Sequence, residues 1–490
     1  MSGAEPTGRV QGLRRRVWDH PRYRDILLVN CLVGMFSTSF PATILTVSIK
    51  VIADELDTTP ATVSWVTTAP MLAAAVATPI LGRLGDIRGH RRLYLYGFSV
   101  AIVFSVLTSF AWDATSLIGF RTVAQLGAAA TVPSSFAMVF RSFPPNERVR
   151  ASALSSAALA GAAVSGLVVG GPLVDAFGWR PIFVVQAAIA LVALLPAFVV
   201  LKPDDVHVDA SIDYPGAVAL AISAFTLTFG VNRLAVWGPT PVVLATLVVA
   251  PIAIVTLVRI ERRAPSPILP LEILGQLGVR ITAAASFVTN ASWMGNFVLT
   301  PLLMQSVMGM SAGATSLASA PRAAFITLSA PVASRLGMRH GERRVAIWGA
   351  LALAAVFGLM AFGAASTTIA VLVVSLALSG WTFGHVQPSL MAIMSNSVSE
   401  EHFGLATSLN QTAGQIGSVF GLGLFTALAA DSLTVGPFVL TYVLSGGLSL
   451  VAAAIIARAR PGFDEVVTGT VAVDDGELPP VVPEQFVHRP

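Results

Sequence analysis

Two arginines and one histidine lie inside long apolar runs of this 490-residue chain: Arg121, Arg322 and His385. An unpaired cation in an apolar environment is costly, so each arginine should face a cavity or a partner. Arg322 could attract an anionic or zwitterionic compound, or equally reach a carbonyl. His385 is a candidate proton site because an imidazole can change its charge near neutral pH. The alternative is a neutral histidine hydrogen-bonded between helices.

The acidic residues follow the opposite pattern. All 26 fall in loops, in tails or at the ends of apolar runs. A carboxylate within the bilayer is the usual proton carrier and the usual counter-ion for a cationic compound. The sequence therefore argues against both roles for an acid in this chain.

Amide side chains in the apolar runs offer hydrogen bonds without charge selectivity, and one tryptophan adds a large aromatic surface. These residues are candidates for lining a central cavity, with hydrogen bonding between helices as the alternative. They are Asn30, Asn290, Trp293, Asn296, Gln387, Asn410, Gln411 and Gln415. Gln411 and Gln415 are four residues apart and would share one helix face.

The composition excludes an ordinary soluble protein, because 54% of the residues are hydrophobic and only 11% are charged. The charged share of soluble domains is about 25%. Apolar runs of about 17 to 25 residues are long enough to cross a bilayer as helices. Fourteen such runs lie near 26–49, 61–81, 93–112, 115–139, 152–171, 181–201, 215–232, 241–259, 281–306, 313–334, 345–364, 367–393, 403–428 and 436–457.

The basic residues alternate in a way that predicts topology. Of the 30 Lys and Arg, 25 fall on the side of the amino terminus, 3 on the opposite side and 2 within the runs. Basic residues favour the cytoplasmic side. The pattern predicts a multi-pass protein of a bacterial-type inner (plasma) membrane with both termini in the cytoplasm.

An eleven-residue loop is repeated along the chain. Residues 82–92 and 334–344 are identical at six of eleven positions, and each copy joins two apolar runs. Internal repeats of this kind are typical of secondary transporters.

The copies follow the second and the tenth runs, a separation of eight runs. A doubled six-helix unit would place them six runs apart, so two extra spans separate the halves. This predicts a basic amino terminus (1–25), a six-helix bundle (26–201), two inserted helices (215–259), a second six-helix bundle (281–457) and a disordered cytoplasmic tail (458–490).

The segment from Gly82 to Arg92 resembles the signature loop of the major facilitator superfamily. The fourteen runs resemble that family's EmrB/QacA-type drug/proton antiporter branch, over about residues 25 to 460. The resemblance implies an all-α integral membrane protein with the major facilitator fold, two six-helix bundles plus two extra central transmembrane helices. It also implies proton-coupled efflux of small amphipathic compounds, of the multidrug type, by alternating access.

Within the first repeated loop, the resemblance implies a conformational latch made by Gly82, Asp86, Gly89 and Arg91, and Arg141 is the partner expected for Asp86. The second copy keeps the arginines but has Met338 in place of the acid. The alternative is a loop acid that merely offsets its arginine neighbours.

Two further stretches resemble family motifs in part. Residues 121–127 resemble a motif that the family links to proton transfer, with Gln125 where the motif has glycine. The alternative is that Arg121 is a structural cation that reaches the interface. The second stretch resembles the antiporter motif, without its proline, and its small residues suit close helix packing. Its glycines are Gly161, Gly166, Gly170 and Gly171.

Other functions stay open. An uptake carrier or facilitator for a neutral or anionic metabolite is favoured by the missing midplane acids and by Arg121 and Arg322. A membrane receptor or scaffold that does not transport is the alternative from another class. No enzyme motif or metal-binding spacing is found. We expect a small-molecule substrate, a lipid bilayer as surroundings, no nucleic acid, no metal, no cofactor beyond a proton gradient, and function as a monomer.

Overall fold

The computed structural model describes residues 8–459, apart from 144, 204–212, 265–266, 268–274, 399–402, 430–431 and 433. These residues form helices and short connections, with no strand among them. In chain order the helices are α1 (Gly8–Trp18), α2 (Tyr23–Glu55), α3 (Pro60–Val63), α4 (Trp65–Arg88), α5 (His90–Ser109), α6 (Ala114–Ala129), α7 (Thr131–Ser142), α8 (Pro145–Phe177), α9 (Arg180–Val200), α10 (Tyr214–Trp237), α11 (Pro241–Glu261), α12 (Leu277–Ser306), α13 (Ala312–His340), α14 (Glu342–Ala365), α15 (Ile369–Asn396), α16 (Phe403–Ala429) and α17 (Val435–Ala457). The tail predicted to be disordered lies outside the described residues from position 460 onward.

The all-helical prediction is confirmed, and a helix or a pair of helices covers each apolar run. Eleven helices among the described residues are long and apolar enough to cross a membrane. Three further helices, α8, α12 and α13, are 33, 30 and 29 residues long but do not meet that composition, and in α8 the apolar part is Gly161–Phe177. The count of fourteen spans therefore stays a prediction.

The helices pack in two groups. In the first group α2 lies against α8 and α9, α5 against α6 and α9, and α4 against α6. In the second group α12 lies against α16 and α17, α14 against α15 and α17, and α13 against α15. Because a helix forms most of its backbone hydrogen bonds within itself, such a stack of helices is compatible with an apolar solvent.

The inserted pair, α10 and α11, has a different environment. The two helices pack on each other, and α10 also contacts α4 of the first group and α16 of the second. The outer face of α11 leaves Val248 and Ile252 about three-fifths exposed, at 61% and 59%. Apolar exposure on that scale suits contact with lipid, so α10 connects the groups while α11 faces outward.

The repeated segments are not loops, and this expectation was wrong. Residues 82–88 form the last turns of α4, Gly89 alone links the helices, and α5 begins at His90. The second copy repeats the arrangement around Gly341, between α13 and α14. Gly89 has φ 99° and Gly341 φ 85°, a region that favours glycine because it has no Cβ. One residue can therefore reverse the chain.

Two boundaries also differ from the sequence prediction. The run at 215–232 was expected to end at Asn232, but α10 continues to Trp237, and Arg233 within this extension lies over the rings of Trp65 and Trp237. The run at 115–139 divides at Ala130 into α6 and α7, and Pro133, which lacks a backbone N–H, lies in the first turn of α7. At the start of α6, the Ser116 backbone N–H holds the pKa of Asp113 below its usual range.

Candidate functional site

Gly89 and Gly341 define one end of the bundle, which we call the turn end. The opposite end, where α8 meets α9 and α12 meets α13, is the far end. At the turn end the two repeats place equivalent arginines on equivalent carbonyls. Arg91 Nε donates to the carbonyl oxygen of Leu201 at 2.9 Å, and Arg343 Nη2 donates to that of Ala457 at 2.5 Å.

A cation near the last carbonyls of a helix satisfies unpaired acceptors and opposes the helix dipole. The repeated arginine thus caps α9 in the first group and α17 in the second. Arg14, Trp18 and Tyr23 donate to three further carbonyls at the same end of α9, those of Phe198, Val199 and Val200. Arg91, which the resemblance placed in the latch, therefore binds the end of α9 in this structure.

The remaining latch residues are placed only in part. Gly82 and Asp86 lie in the last turns of α4, and the side chain of Asp86 is outside what the structure describes. Arg141 lies exposed in the last turn of α7. The pairing of Asp86 with Arg141 therefore stays a prediction.

At the far end, α8 of the first group lies directly against α13 of the second. Asp175 Oδ2 accepts a hydrogen bond from the Gly313 backbone N–H at 2.8 Å, in the first turn of α13. A carboxylate at this position binds an unpaired N–H and the positive end of the helix dipole. Beside it the Ser316 hydroxyl donates to the Leu167 carbonyl oxygen. One helix group thus caps a helix of the other.

A second connection at the far end passes through the inserted helix α10. Trp65 Nε1 of α4 donates to Asn232 Oδ1 at 3.1 Å, and Asn232 Nδ2 donates to the Gly423 carbonyl oxygen of α16 at 2.6 Å. Asn232 is 1% exposed, so both bonds form away from solvent. One amide therefore holds α4 and α16 together, and the far end is closed by polar contacts on two sides.

The four glycines of α8 divide by environment. A Cβ on Gly166 or Gly170 would overlap Thr43 or Ile44 of α2, and a Cβ on Gly171 would overlap Ser316 of α13. A Cβ on Gly161 would meet no atom within 4 Å. Gly171 alone among them lies at the contact between the two helix groups, and Gly161 offers a matched control.

Midway along the helices, Arg322 lies in a cluster of aromatic rings. Its guanidinium is 4.7 Å from the ring centroid of Trp293 and 4.9 Å from that of Phe297. Trp293 stacks on Phe383 with centroids 4.1 Å apart and an interplanar angle of 13°. We call Arg322, Trp293, Phe297 and Phe383 the Arg322 cluster. It joins α12, α13 and α15.

Arg121 of α6 is the corresponding buried cation of the first group. It is 2% exposed, and its Nε and Nη1 have no hydrogen-bond partner among the described residues. Gln125, one turn further along α6, is half-buried. Both groups therefore hold an arginine inside the bundle, as the sequence indicated, but no contact joins Arg121 to the Arg322 cluster in the part described.

The cavity candidates fall into two sets. Asn30 and Asn296 donate across helices to the Ala193 carbonyl oxygen and to Ser445 Oγ, Asn290 donates within α12 to the Ser286 carbonyl oxygen, and Asn410 accepts from Ser286 Oγ. Asn30, Asn296 and Asn410 therefore join helices, whereas the half-buried Asn290 bonds within its own helix and stays a cavity candidate. Gln387 and Gln415 are half-buried and Gln411 is exposed, so these three stay candidates for contact with a ligand.

His385 lies on α15, 7% exposed, with Nδ1 2.8 Å from the Trp381 carbonyl oxygen. Because a carbonyl only accepts, Nδ1 carries the hydrogen in this contact and Nε2 is left to take up a proton. The Trp381 ring lies 5.1 Å from the imidazole. The geometry therefore allows a proton site as well as a packing role.

We expect His385→Ala to remove the pH dependence of transport, since no other histidine lies inside an apolar run. The matched control is His340→Ala, at the exposed end of α13, which should keep that dependence. The measurement is the initial transport rate between about pH 5.5 and 8. If the pH profile of His385→Ala matches that of the unaltered protein, His385 is only a packing residue.

Two residues of this site were not singled out from the sequence. In the sequence, Asp175 is one of many acids at the end of an apolar run, and Asn232 is the last residue of another run. Two features of the sequence could have indicated them. Asp175 follows the glycine pair at 170–171, and Asn232 precedes Arg233 at the end of an apolar run. Neither signal names its partner, because Gly313 and Gly423 lie in the other helix group.

Comparison with known proteins agrees with this architecture. The family model described as Major Facilitator Superfamily matches residues 31–271 and 282–485. The chain is 26% identical to the tetracenomycin C resistance and export protein of Streptomyces glaucescens, over 87% of this chain and 79% of the relative. It is 28% identical to the cephamycin export protein CmcT of Amycolatopsis lactamdurans, over 84% and 86%. It is 25% identical to the multidrug transporter MdtP of Bacillus subtilis, over 83% and 75%.

Solved structures share the fold. A bacterial homologue of the human lysosomal transporter Spinster, in an inward-facing and unoccupied conformation, aligns with TM-score 0.66 and 15% identity, over 89% of this chain and 97% of that one. The nucleoside transporter NupG (D323A mutant) aligns with TM-score 0.64 and 12% identity, over 89% and 100%. Two helix groups joined at one end, the repeated helix–glycine–helix turn and the match over most of the chain together show that this multi-pass membrane protein belongs to the major facilitator superfamily of transporters.

Proposed function

We propose that the protein is a secondary active exporter of small amphipathic compounds, driven by proton entry and working by alternating access. The proposal rests on one observation above the others. The chain matches relatives named as a multidrug transporter, a tetracenomycin C resistance and export protein and a cephamycin export protein over four-fifths of its length or more. We further propose that it lies in a bacterial inner membrane with both termini in the cytoplasm, as the distribution of basic residues predicts.

The described contacts between helix groups support alternating access. They include Asp175 with Gly313, and Asn232 with both Trp65 and Gly423, all at the far end. With cytoplasmic termini, the far end faces outward, and this conformation is closed to the outside. Release of substrate outside then requires these hydrogen bonds to break while the turn end closes, which is the step that the predicted Asp86 latch would stabilise.

Proton coupling in this chain cannot use the usual carboxylate near the midplane, because the sequence places every acid away from it. His385 is the proposed proton site, since its Nε2 is left available by the contact of Nδ1 with the Trp381 carbonyl. Arg121 is a second proposed participant because it is buried in the first helix group.

A carrier that moves an anionic metabolite without proton coupling is the second candidate. Two buried arginines, Arg121 and Arg322, favour it, since each offers guanidinium nitrogens without a partner among the described residues. This candidate differs from the first in coupling, so a direct measurement of proton movement separates them.

The test is proton flux in everted membrane vesicles that carry the protein and are energised acid-inside. Amphipathic cations, anions and neutral compounds are added one at a time. Export driven by protons predicts collapse of the gradient with some compounds and none in vesicles carrying Asp86→Asn. No collapse with any compound, in vesicles shown to contain folded protein, would reject proton coupling and favour the uncoupled carrier.

A further inference from the structure

The Arg322 cluster contains more hydrogen-bond donors than acceptors. Arg322 is 2% exposed and makes one hydrogen bond in the described part of the chain, from Nη1 to the Asn296 carbonyl oxygen at 3.3 Å. Its Nε and Nη2 have no partner there, and neither does the indole Nε1 of Trp293, which is 8% exposed. Three buried N–H groups at one place thus lack an acceptor, although buried polar groups are nearly always paired.

The helices of the second group supply no counter-ion at the level of Arg322. Helices α12, α13 and α15, which form the cluster, contain no Asp or Glu, and neither do α16 and α17. The single acid on α14 is Glu342, its first residue, at the turn end. Arg322 is the eleventh residue of α13, about 15 Å from the far end, so no acid of these helices lies at its level.

A cation in this position is costly by itself. A guanidinium removed from water requires a partner anion, and rings provide only part of the compensation through cation–π contact. A guanidinium binds oxygen acceptors such as carboxylates well, because the planar fork of arginine matches their geometry. The cluster therefore has the chemistry of an anion site whose acceptor is not part of the protein.

The apolar part of the site narrows the ligand class further. The guanidinium lies over Trp293 and Phe297, whose ring centroids are 5.2 Å apart, and Phe383 stacks on Trp293, so aromatic rings line one side of the guanidinium. Such a surface favours a planar aromatic body next to the acidic group. Both α12 and α13 also contact the first helix group, through α2 and α8, so the cluster lies near the junction where the groups move.

We propose that Arg322 binds the carboxylate of a transported aromatic compound, so that the substrates of this protein include amphipathic anions. The proposal rests on the proposed function as a transporter of amphipathic compounds and names the substrate class for it. Arg322 is the specificity-determining residue in this account, with Trp293 Nε1 as a second donor and the Trp293–Phe383 stack as the surface for the aromatic body.

The experiment measures binding to the purified full-length protein in detergent, where no proton gradient exists. The probes are naphthalene-2-carboxylate and its methyl ester, which share the aromatic body and differ in charge. A ligand that binds the folded state raises the unfolding temperature. We expect stabilisation by the carboxylate in the unaltered protein and at least about a tenfold weaker response in Arg322→Met, as for loss of a charge-assisted hydrogen bond. The response to the ester should change less than about twofold.

Two further variants separate binding from folding. Arg322→Lys keeps the charge and should retain part of the carboxylate response, whereas Arg339→Gln, which removes an exposed cation from the same helix, should retain all of it. Without ligand, Arg322→Met should unfold at the same temperature as the unaltered protein or higher, because an uncompensated buried cation is removed. A carboxylate response in Arg322→Met equal to that of the unaltered protein would overturn the proposal. So would a large drop in the unfolding temperature of Arg322→Met together with a full carboxylate response in Arg322→Lys, because Arg322 would then be a structural residue.

Replacing sodium chloride with sodium gluconate in the buffer tests whether the Arg322 cluster binds chloride rather than a carboxylate. If chloride stabilises the unaltered protein through Arg322 and naphthalene-2-carboxylate does not compete with it, the site takes an inorganic anion and the proposal fails. Competition between the two supports it. Binding is measured without a proton gradient, so the two experiments are independent. Absence of proton coupling in vesicles would not contradict carboxylate binding, and absence of carboxylate binding would not contradict proton coupling.

Discussion

Asp86→Asn is expected to abolish transport, whereas Glu342→Gln, in the second copy of the repeat, should leave the rate within about twofold. The two turns share a scaffold. Each has a positive-φ glycine between helices, Gly89 or Gly341, and an arginine on the last carbonyls of its group, Arg91 or Arg343. What separates them is the acid three positions before the glycine, which the second copy replaces with Met338.

Both copies form the same turn, and only the first has the acid, so the acid is not needed to build the turn. Its role must then lie outside the turn, and a contact made only when the turn end closes would meet that requirement. Glu342, by contrast, is the first residue of α14, where a carboxylate favours the helix dipole by a few tenths of a kcal/mol. Its replacement should change stability slightly and transport little.

The measurement is compound-dependent transport in cells or vesicles, normalised to the amount of folded protein. Asp86→Glu adds a useful third variant, since it keeps the charge and changes the reach. Equal effects of Asp86→Asn and Glu342→Gln would remove the argument for a latch and leave Asp86 as a helix-end acid that offsets the neighbouring arginines.

Gly171→Val should cause the second large effect, a loss of transport of at least about tenfold, while Gly161→Val should stay within about twofold. A Cβ at position 171 would overlap the Ser316 side chain and lie 2.6 Å from the Ala312 carbonyl oxygen, both in α13. At position 161 the same atom meets nothing within 4 Å. Both substitutions add the same β-branched side chain to the same helix, so helix propensity cancels between them.

The expected mechanism is a failure to close the far end. Separation of α8 from α13 also removes the hydrogen bond from the Gly313 N–H to Asp175, because the two contacts lie within one turn of each other. The variant should then stay open at the far end, with the helix groups themselves intact.

A cysteine at position 320 reports that opening, since Ala320 is partly buried where α13 meets Leu167 of α8. In a Cys31→Ser background, an impermeant maleimide added from the far side should label Ala320→Cys faster when Gly171→Val is also present. Unchanged labelling with lost transport would show that Gly171 acts elsewhere than at closure.

The sequence by itself determined the helices, the repeat and the membrane class. In an apolar solvent a chain has to satisfy its backbone within each helix, so length and composition of the runs were sufficient to locate them. The repeated glycines and arginines were also readable, since both copies carry the same residues at the same spacing. The turn itself was misread as a loop because one left-handed glycine can replace a connection of several residues, and spacing does not show which glycine takes that conformation.

Only the tertiary structure decided which polar groups meet. Asn232 binds Trp65 and Gly423, which lie 167 and 191 residues away, and Asp175 caps a helix that begins 137 positions later. Arg322 has no carboxylate partner on the helices that form its cluster, because α12, α13 and α15 carry no Asp or Glu, and only their packing shows that these three helices meet around it. Helix formation is local and follows from composition, whereas the partner of a buried polar side chain depends on which distant helix face packs against it.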